Sequence, residues 1–254
     1  MTLETNFNNV IELLISNNFS CSITSNQLIE SIDLTLLDEN ASQEALTKLI
    51  HLAQTNDVAA VCVFAKHLYH FNTQTRFNLA TVINFPQGIS DIAPCIEEIK
   101  QAVILGAKEI DYVLPYQMYL TDNKQEALNQ CSAIVQYCQE NGLTLKIILE
   151  TGAFPDMQSI YDLSTELLSF GCDFLKTSTG KIKQGASLSA AFAILSAIKD
   201  SGKKCGVKIS GGVKTPQQAR NYACFAELIM EKNISKEWFR IGASSLLEEL
   251  LASN

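Results

Sequence analysis

Cys172-Asp173-Phe174-Leu175-Lys176-Thr177-Ser178-Thr179-Gly180-Lys181 opens in apolar residues, as a buried strand does, and ends in hydroxyls, a glycine and a second cation. Lys176 stands where the strand gives way to the loop. An ammonium at the end of a buried strand is costly unless it is paired or its pKa is lowered. A lowered pKa is also what an amine needs to attack a carbonyl. A lysine that lays its stem along the strand end and keeps its head in water satisfies the same residues. The neighbouring strands bear on the choice.

Apolar runs of strand length recur on both sides of this stretch, and each is followed by a segment with helical spacing. Strands are expected over residues 31–35, 58–64, 78–84, 109–114, 143–150, 172–176, 204–209 and 237–241. Helical segments are expected over 38–54, 66–73, 91–105, 124–140, 155–170 and 187–201, then from Thr215-Pro216 and again after Gly242 to Leu251. Ser90 is the expected N-cap of the third of these, and Gly106, Asn141-Gly142, Gly171 and Gly202 close helices. Residues 115–118 and 151–152 are expected to be loops.

The strands are nearly unbroken in apolar residues (VAAVCVF over 58–64), as in a parallel sheet covered on both faces. Eight such units in 254 residues close naturally into an α/β fold of the (β/α)8 TIM-barrel type. A doubly wound open sheet would want G-x-G-x-x-G after the first strand, and none is there. Phe7, Val10, Ile11 and Leu14 predict one more helix ahead of the first strand, packed on the outside or bottom of the core. The expected organisation is a single domain over 1–254, with a helical extension over 1–30 and the barrel over 31–251.

Composition narrows the class. With 47% hydrophobic and 18% charged residues the chain can bury a large core. A net charge of −8 with no basic stripe argues against nucleic acid or an anionic membrane as partner. No apolar run reaches the roughly 18 residues of a membrane span, and the first twenty residues lack the basic start and cleavage pattern of a targeting peptide. The eight cysteines form no C-x-x-C pair and several sit in apolar runs, which predicts reduced, buried thiols in a cytoplasmic protein, not a disulfide or zinc framework. His51, His67 and His70 make no metal-ligand pattern and read as surface residues. No metal and no cofactor is expected, so any carbonyl would be activated by an amine.

In a barrel the chemistry sits where strands end and the following loops begin. Those positions carry Asp33, Asp111, Lys146, Lys176 and Lys208. Lysines on three successive strands, each about one strand–helix unit apart, would approach one another in a poorly solvated space. Like charge and desolvation both lower a lysine pKa, so one amine can be neutral near pH 7 beside a charged neighbour. Asp111 could keep that neighbour protonated and relay protons. A structural ion-pair layer of Asp33 and Asp111 against lysines accounts for the same residues. Arg240 in the last strand reads as a structural ion pair. Ser210-Gly211-Gly212 and Gly242-Ala243-Ser244-Ser245 each precede a helix, where glycine backbone and helix N-termini favour an anion, and Gly180-Lys181 would close the site from a third side. Thr179-Gly180-Lys181 is not a P-loop, because Leu175 stands where the first glycine belongs.

These blocks, with TVINFPQG (81–88), EIDYV (109–113), LKIILETG (145–152), DFLKTSTG (173–180), VKISGGV (207–213) and RIGASS (240–245), run in one order from about residue 31 to 250 and resemble the deoxyribose-phosphate aldolases, class I aldolases that work through a lysine Schiff base. The resemblance implies reversible cleavage of 2-deoxy-D-ribose 5-phosphate to acetaldehyde and glyceraldehyde 3-phosphate. It implies an imine on Lys176, pKa control by Lys208, and a proton relay through Asp111 and a water. Asp33 and Lys146 would contact substrate hydroxyls or Asp111, and Thr179 would belong to the substrate site. The phosphate would lie on Gly180, Lys181, Gly211, Gly212, Gly242, Ser244 and Ser245. It leaves room for a homodimer, with no interface residue legible. Two departures stand out: no terminal tyrosine of the kind some members use in proton transfer, and Lys214 where some have arginine near the phosphate loop. Two alternatives remain open on the residues: a class I aldolase for another sugar phosphate, and a sugar-phosphate-binding protein without catalysis.

Overall fold

Each strand of this chain carries side chains that alternate between the outer helices and the interior, and eight of them are enough to close a ring. The computed structural model describes residues 2–16, 21–71 and 76–253. Strands β1 (Ile32–Leu36), β2 (Ala60–Val63), β3 (Asn78–Ile83), β4 (Glu109–Val113), β5 (Thr144–Ile148), β6 (Phe174–Lys176), β7 (Gly206–Ser210) and β8 (Phe239–Ala243) pair in parallel and in chain order, and β8 returns to β1. The (β/α)8 barrel expected from the alternation is the fold. Six of the strands are shorter than the expected runs by one to three residues, whereas β1 and β8 keep the expected length and lie one and two residues later than 31–35 and 237–241.

The helices are α1 (Leu3–Ile15), α2 (Ser25–Glu30), α3 (Gln43–Thr55), α4 (Ile92–Ile104), α5 (Tyr116–Tyr119), α6 (Lys124–Glu140), α7 (Met157–Phe170), α8 (Leu188–Ser201), α9 (Pro216–Met230) and α10 (Leu246–Ala252), with 3-10 turns at Ala65–His70 and Thr151–Ala153. Their ends follow side-chain chemistry. Ser42, Asp156, Ser187 and Thr215 each accept a backbone N–H of the first turn, and Pro216 opens α9. Gly171 and Gly202 close α7 and α8 in the left-handed conformation.

Outward-facing Ile110 and Tyr112 of β4 join the main apolar core under the helices, whereas Asp111 between them turns inward. Inside the barrel, Ala60, Cys62, Ala80 and Val82 of β2 and β3 form a small apolar cluster of their own. The rest of the interior carries the charged side chains, with the Phe174 ring packed under Arg240, and it holds the site.

Several expectations change. Asp91, not Ser90, stands at the N-cap of α4; the Ser90 N–H donates to Asn84 Oδ1 at 2.8 Å instead. Of residues 115–118, expected as loop, all but Pro115 fall in the short α5 (Tyr116–Tyr119), and the helix expected over 66–73 is the 3-10 turn Ala65–His70, with 72 and 73 outside the described residues. His67 is buried, not on the surface, with its ring Nε2 3.0 Å from the Asp38 carbonyl oxygen. Helix α1 packs outside on α7, α8 and α9, where Phe7 meets Phe192 and Phe225 edge-on. The short α2, held by a Thr24/Gln27 capping box, was not legible in the periodicity and leads straight into β1.

The largest correction concerns the thiols. Cys21 and Cys224 form a disulfide that ties the segment before α2 to α9, while Cys62, Cys95, Cys131, Cys138, Cys172 and Cys205 are free and buried as expected. Spacing could not reveal this pair, which is 203 residues apart and brought together only when the N-terminal segment docks on α9. Among the described residues no helix is long and apolar enough to cross a membrane.

Candidate active site

The site begins with strand register. Lys176 on β6 pairs with Lys208 on β7, and Lys208 with Arg240 on β8. Asp111 on β4 pairs with Lys146 on β5, which lies two residues below the level of Lys176. Residues two apart on a strand share a face, so Glu109 points inward with Asp111. Barrel strands are tilted and staggered, and side chains from different register levels therefore meet on one axis.

They meet as a continuous ionic network. Asp111 Oδ2 accepts from Lys176 Nζ and from Lys208 Nζ, each at 2.7 Å, and its Oδ1 accepts from Lys146 Nζ at 2.9 Å. Lys208 also reaches Asp33 Oδ2 at 2.6 Å, and Lys146 reaches Glu109 at 2.5 Å and Asp33 at 3.5 Å. Arg240 pairs with Asp33 Oδ1 at 2.7 Å and approaches Glu109 at 3.7 Å, the structural ion pair expected of it. All seven side chains are buried.

The network holds four cations against three carboxylates. A buried surplus charge is costly, and the structure indicates which group relieves it. Burial opposes the charged form of Lys146, but Asp111, Glu109 and Asp33 outweigh it and raise the pKa well above normal. Lys208 is likewise opposed by burial and pushed up to about 12 by Asp111 and Asp33. Lys176 has one carboxylate, shared with Lys208; burial lowers its pKa, Asp111 pulls it up, and Lys208 adds to the lowering, for a net fall. Burial would raise Asp33 and Asp111, yet the surrounding cations hold both well below the usual carboxylate range. The ion-pair reading and the lowered-amine reading thus describe two levels of one network.

Lys176 is also the network cation that borders open space. A cavity of about 330 Å3 is lined by Lys176, Thr179, Gly180, Lys181, Gly211, Gly212, Gly242 and Ser244, with Lys214 at its edge. Asp33, Asp111, Lys146 and Lys208 lie beneath it, sealed from it by their own packing. Ser245 stands at the N-cap of α10 and does not line the cavity. Asp33 and Lys146, expected to touch either substrate hydroxyls or Asp111, do not reach the cavity, and Lys146 contacts Asp111 directly. A larger cavity of about 810 Å3 runs beside β2 and β3 past Phe64 and Phe85, but no member of the ionic network borders it.

Glycines shape the mouth. Gly211 and Gly212 both take left-handed backbone, with φ of 90° and 101°. Gly242 is a strand residue: a Cβ there would stand 2.9 Å from Lys208 Cε, so its absence leaves room for that side chain. Lys181 Nζ bridges to the Leu37 carbonyl oxygen at 3.0 Å across the cavity from the β1 loop.

Two functional neighbours escaped the sequence reading. Glu109 was legible in principle, two residues before Asp111 on the same strand. Glu150 follows β5 in left-handed backbone, φ 55°, is fully buried, and accepts the N–H and hydroxyl of Thr179; nothing in the sequence pattern marks it.

A parallel eight-stranded barrel that buries an amine of lowered pKa under a small polar mouth has the build of a Schiff-base aldolase. The family model "DeoC/LacD family aldolase" matches residues 25–248, and the chain belongs to that family. It is 37% identical over 227 residues to "Deoxyribose-phosphate aldolase" of Agrobacterium fabrum, covering 87% of each chain. The fold is also that of a putative deoxyribose-phosphate aldolase from Coccidioides immitis (TM-score 0.81, 21% identity, 100% of this chain and 98% of that one). A deoxyribose phosphate aldolase from Aeropyrum pernix, described as a tetramer, matches similarly (TM-score 0.78, 23% identity, 97% of each chain). The chain is accordingly an aldolase, a carbon–carbon lyase.

Proposed function

We propose that the chain cleaves 2-deoxy-D-ribose 5-phosphate reversibly to acetaldehyde and D-glyceraldehyde 3-phosphate, with Lys176 as the imine-forming amine. The observation that carries this is the coincidence at Lys176: among the four network cations it has the lowered pKa, and it is the one that faces the cavity. Neutral Lys176 Nζ adds to the C1 aldehyde of the open-chain sugar phosphate, and loss of water gives a protonated imine. The C3 hydroxyl then gives up its proton, the C2–C3 bond breaks, and glyceraldehyde 3-phosphate leaves. The electron pair of that bond becomes the enamine of the two-carbon fragment. Protonation of the enamine carbon and hydrolysis return acetaldehyde and free Lys176. Asp111, already bonded to Lys176, supports the proton transfers through water, and Lys208 keeps the amine from holding its proton.

The substrate phosphate lies on Gly180, Lys181, Gly211, Gly212, Gly242 and Ser244, with the N-terminus of α10 at Ser245 behind them. Asp33 and Lys146 act from beneath by fixing Asp111. The reading includes no metal or cofactor, no nucleic-acid or membrane partner, a cytoplasmic setting, and a homodimer as its assembly. Turnover on deoxyribose 5-phosphate, fructose phosphates and keto-acid phosphates, compared at equal enzyme, tests it. A preference for the first supports the reading; a preference for another sugar phosphate replaces the substrate and keeps the reaction class. Sugar-phosphate binding with no turnover on any of them would leave a binding protein.

A further inference from the structure

Glu150 has no role in the reaction just described, yet its position is conspicuous. It is fully buried, carries no cation within ion-pair distance among the described residues, and holds the left-handed backbone that L side chains adopt at a cost. A buried carboxylate needs donors, and Thr179 supplies them. The Thr179 N–H approaches both carboxylate oxygens at 3.3 Å, and the Thr179 hydroxyl donates to Oε2. Because that hydroxyl gives its hydrogen to Glu150, its lone pairs face the other way, and they accept the Lys181 N–H at 3.0 Å. The turn through Gly180, with φ 77°, is thereby fixed, and Gly180 and Lys181 are placed at the edge of the Lys176 cavity.

The lacing extends across three loops. Thr151 N–H donates to the Thr177 carbonyl, the Thr177 hydroxyl to the Ser210 carbonyl, and the Ser210 hydroxyl to the Ser178 carbonyl. Glu150 is the one ionisable member of this lacing, and it acts on the loop that faces the anion.

We propose that Glu150 is the positioning residue of the anion-binding edge: its carboxylate, through both donors of Thr179, holds Gly180 and Lys181 where a substrate phosphate meets them. The inference rests on the sugar-phosphate reading of the cavity, but it is tested by anion affinity and stands apart from turnover. Glu150→Gln keeps the shape and one acceptor oxygen but loses the charge, and its amide hydrogens oppose the Thr179 N–H.

The first experiment is calorimetric titration with inorganic phosphate of the full chain and of Glu150→Gln. Loss of a charge-assisted hydrogen bond predicts roughly tenfold weaker phosphate binding or more. With deoxyribose 5-phosphate, KM should rise by a similar factor while kcat changes little, and kcat/KM for unphosphorylated 2-deoxyribose should be unchanged. Borohydride trapping of acetaldehyde should proceed as in the parent chain. A merely structural Glu150 would lower turnover of both sugars alike. That result, equal phosphate affinity in the two proteins, or no phosphate binding by the parent chain would overturn the inference. Thr179→Val, which deletes the relayed hydroxyl and keeps the side-chain volume, should reproduce the KM effect if Glu150→Gln does not fold; unchanged KM in a folded Thr179→Val would overturn it equally.

Discussion

Replacing Lys208 by leucine asks how the interior makes one amine nucleophilic. Lys176 and Lys208 both donate to Asp111 Oδ2 at 2.7 Å, and two donors on one oxygen stand roughly 4–5 Å apart. At an effective dielectric of about 20, two ammonium groups at that distance repel by roughly 3–4 kcal/mol, which is over two pKa units at about 1.4 kcal/mol each. The variant also frees Asp111 to serve Lys176 and brings the network to three cations against three carboxylates. Both effects push the Lys176 pKa upward, and the expected rise is about two units. Imine formation needs the neutral amine, so its rate should climb with pH about two units later in the variant, with roughly one hundredth of the parent rate near neutrality and recovery in alkaline buffer. The fold should survive, because Asp33 keeps Arg240 and Lys146, and Asp111 keeps Lys146 and Lys176. The assay is the rate of borohydride-trapped acetaldehyde adduct against pH. A profile that stays in place or moves to lower pH would refute the reasoning. So would a rate lost at every pH in a folded variant, since it would make Lys208 more than an electrostatic neighbour.

Other expected outcomes follow from the same geometry. Lys176→Leu should fold, since Asp111 retains Lys146 and Lys208, and should lose aldol turnover and trapping entirely; full turnover would remove Lys176 from the mechanism. Asp33→Asn strips Arg240 and Lys208 of a buried carboxylate and should cost about 3–5 kcal/mol in urea unfolding at neutral pH. Because the folded pKa of Asp33 is depressed, that stabilisation is fully present above the unfolded value of about 4 and is lost as pH falls through the folded one. The stability gap between parent and variant should therefore narrow only in strong acid, and a gap that closed on raising the pH would contradict the assignment. Gly212→Ala meets no atom within 4 Å but forces φ 101° on a residue with a Cβ, so it should raise KM for the phosphorylated substrate and cost about 1–2 kcal/mol of stability. Peptide mapping without reductant should join Cys21 to Cys224, with the six buried thiols alkylated only after unfolding.

The barrel was legible because its strands are buried on both faces and its helices carry ordinary caps: eight apolar runs separated by Gly171, Gly202 and Thr215-Pro216 leave little else to build. The five charged strand-end residues were legible for the same reason, since a charge inside an apolar run has to be paired. Glu109 joined them by the two-residue alternation but was hidden at the start of its run. Arg240 was read as a structural ion pair, and it is one, although its partners Asp33 and Glu109 lie far off in sequence. The Cys21–Cys224 pair, the burial of His67 and the grip of Glu150 on Thr179 depend on which loop docks where, and periodicity carries no information about that. Gly242 shows a subtler limit. Its place in a Gly-Ala-Ser-Ser loop suggested an anion contact, and it does line the cavity, but its missing Cβ is also what admits the side chain of Lys208.

The central claim is that Lys176 alone among the buried lysines acts as a nucleophile. Incubation with acetaldehyde, reduction with borohydride, intact mass and peptide mapping test it most directly. The account predicts one reduced two-carbon adduct, on Lys176. An adduct on Lys208 or Lys146, or none on folded protein at neutral pH, would contradict it.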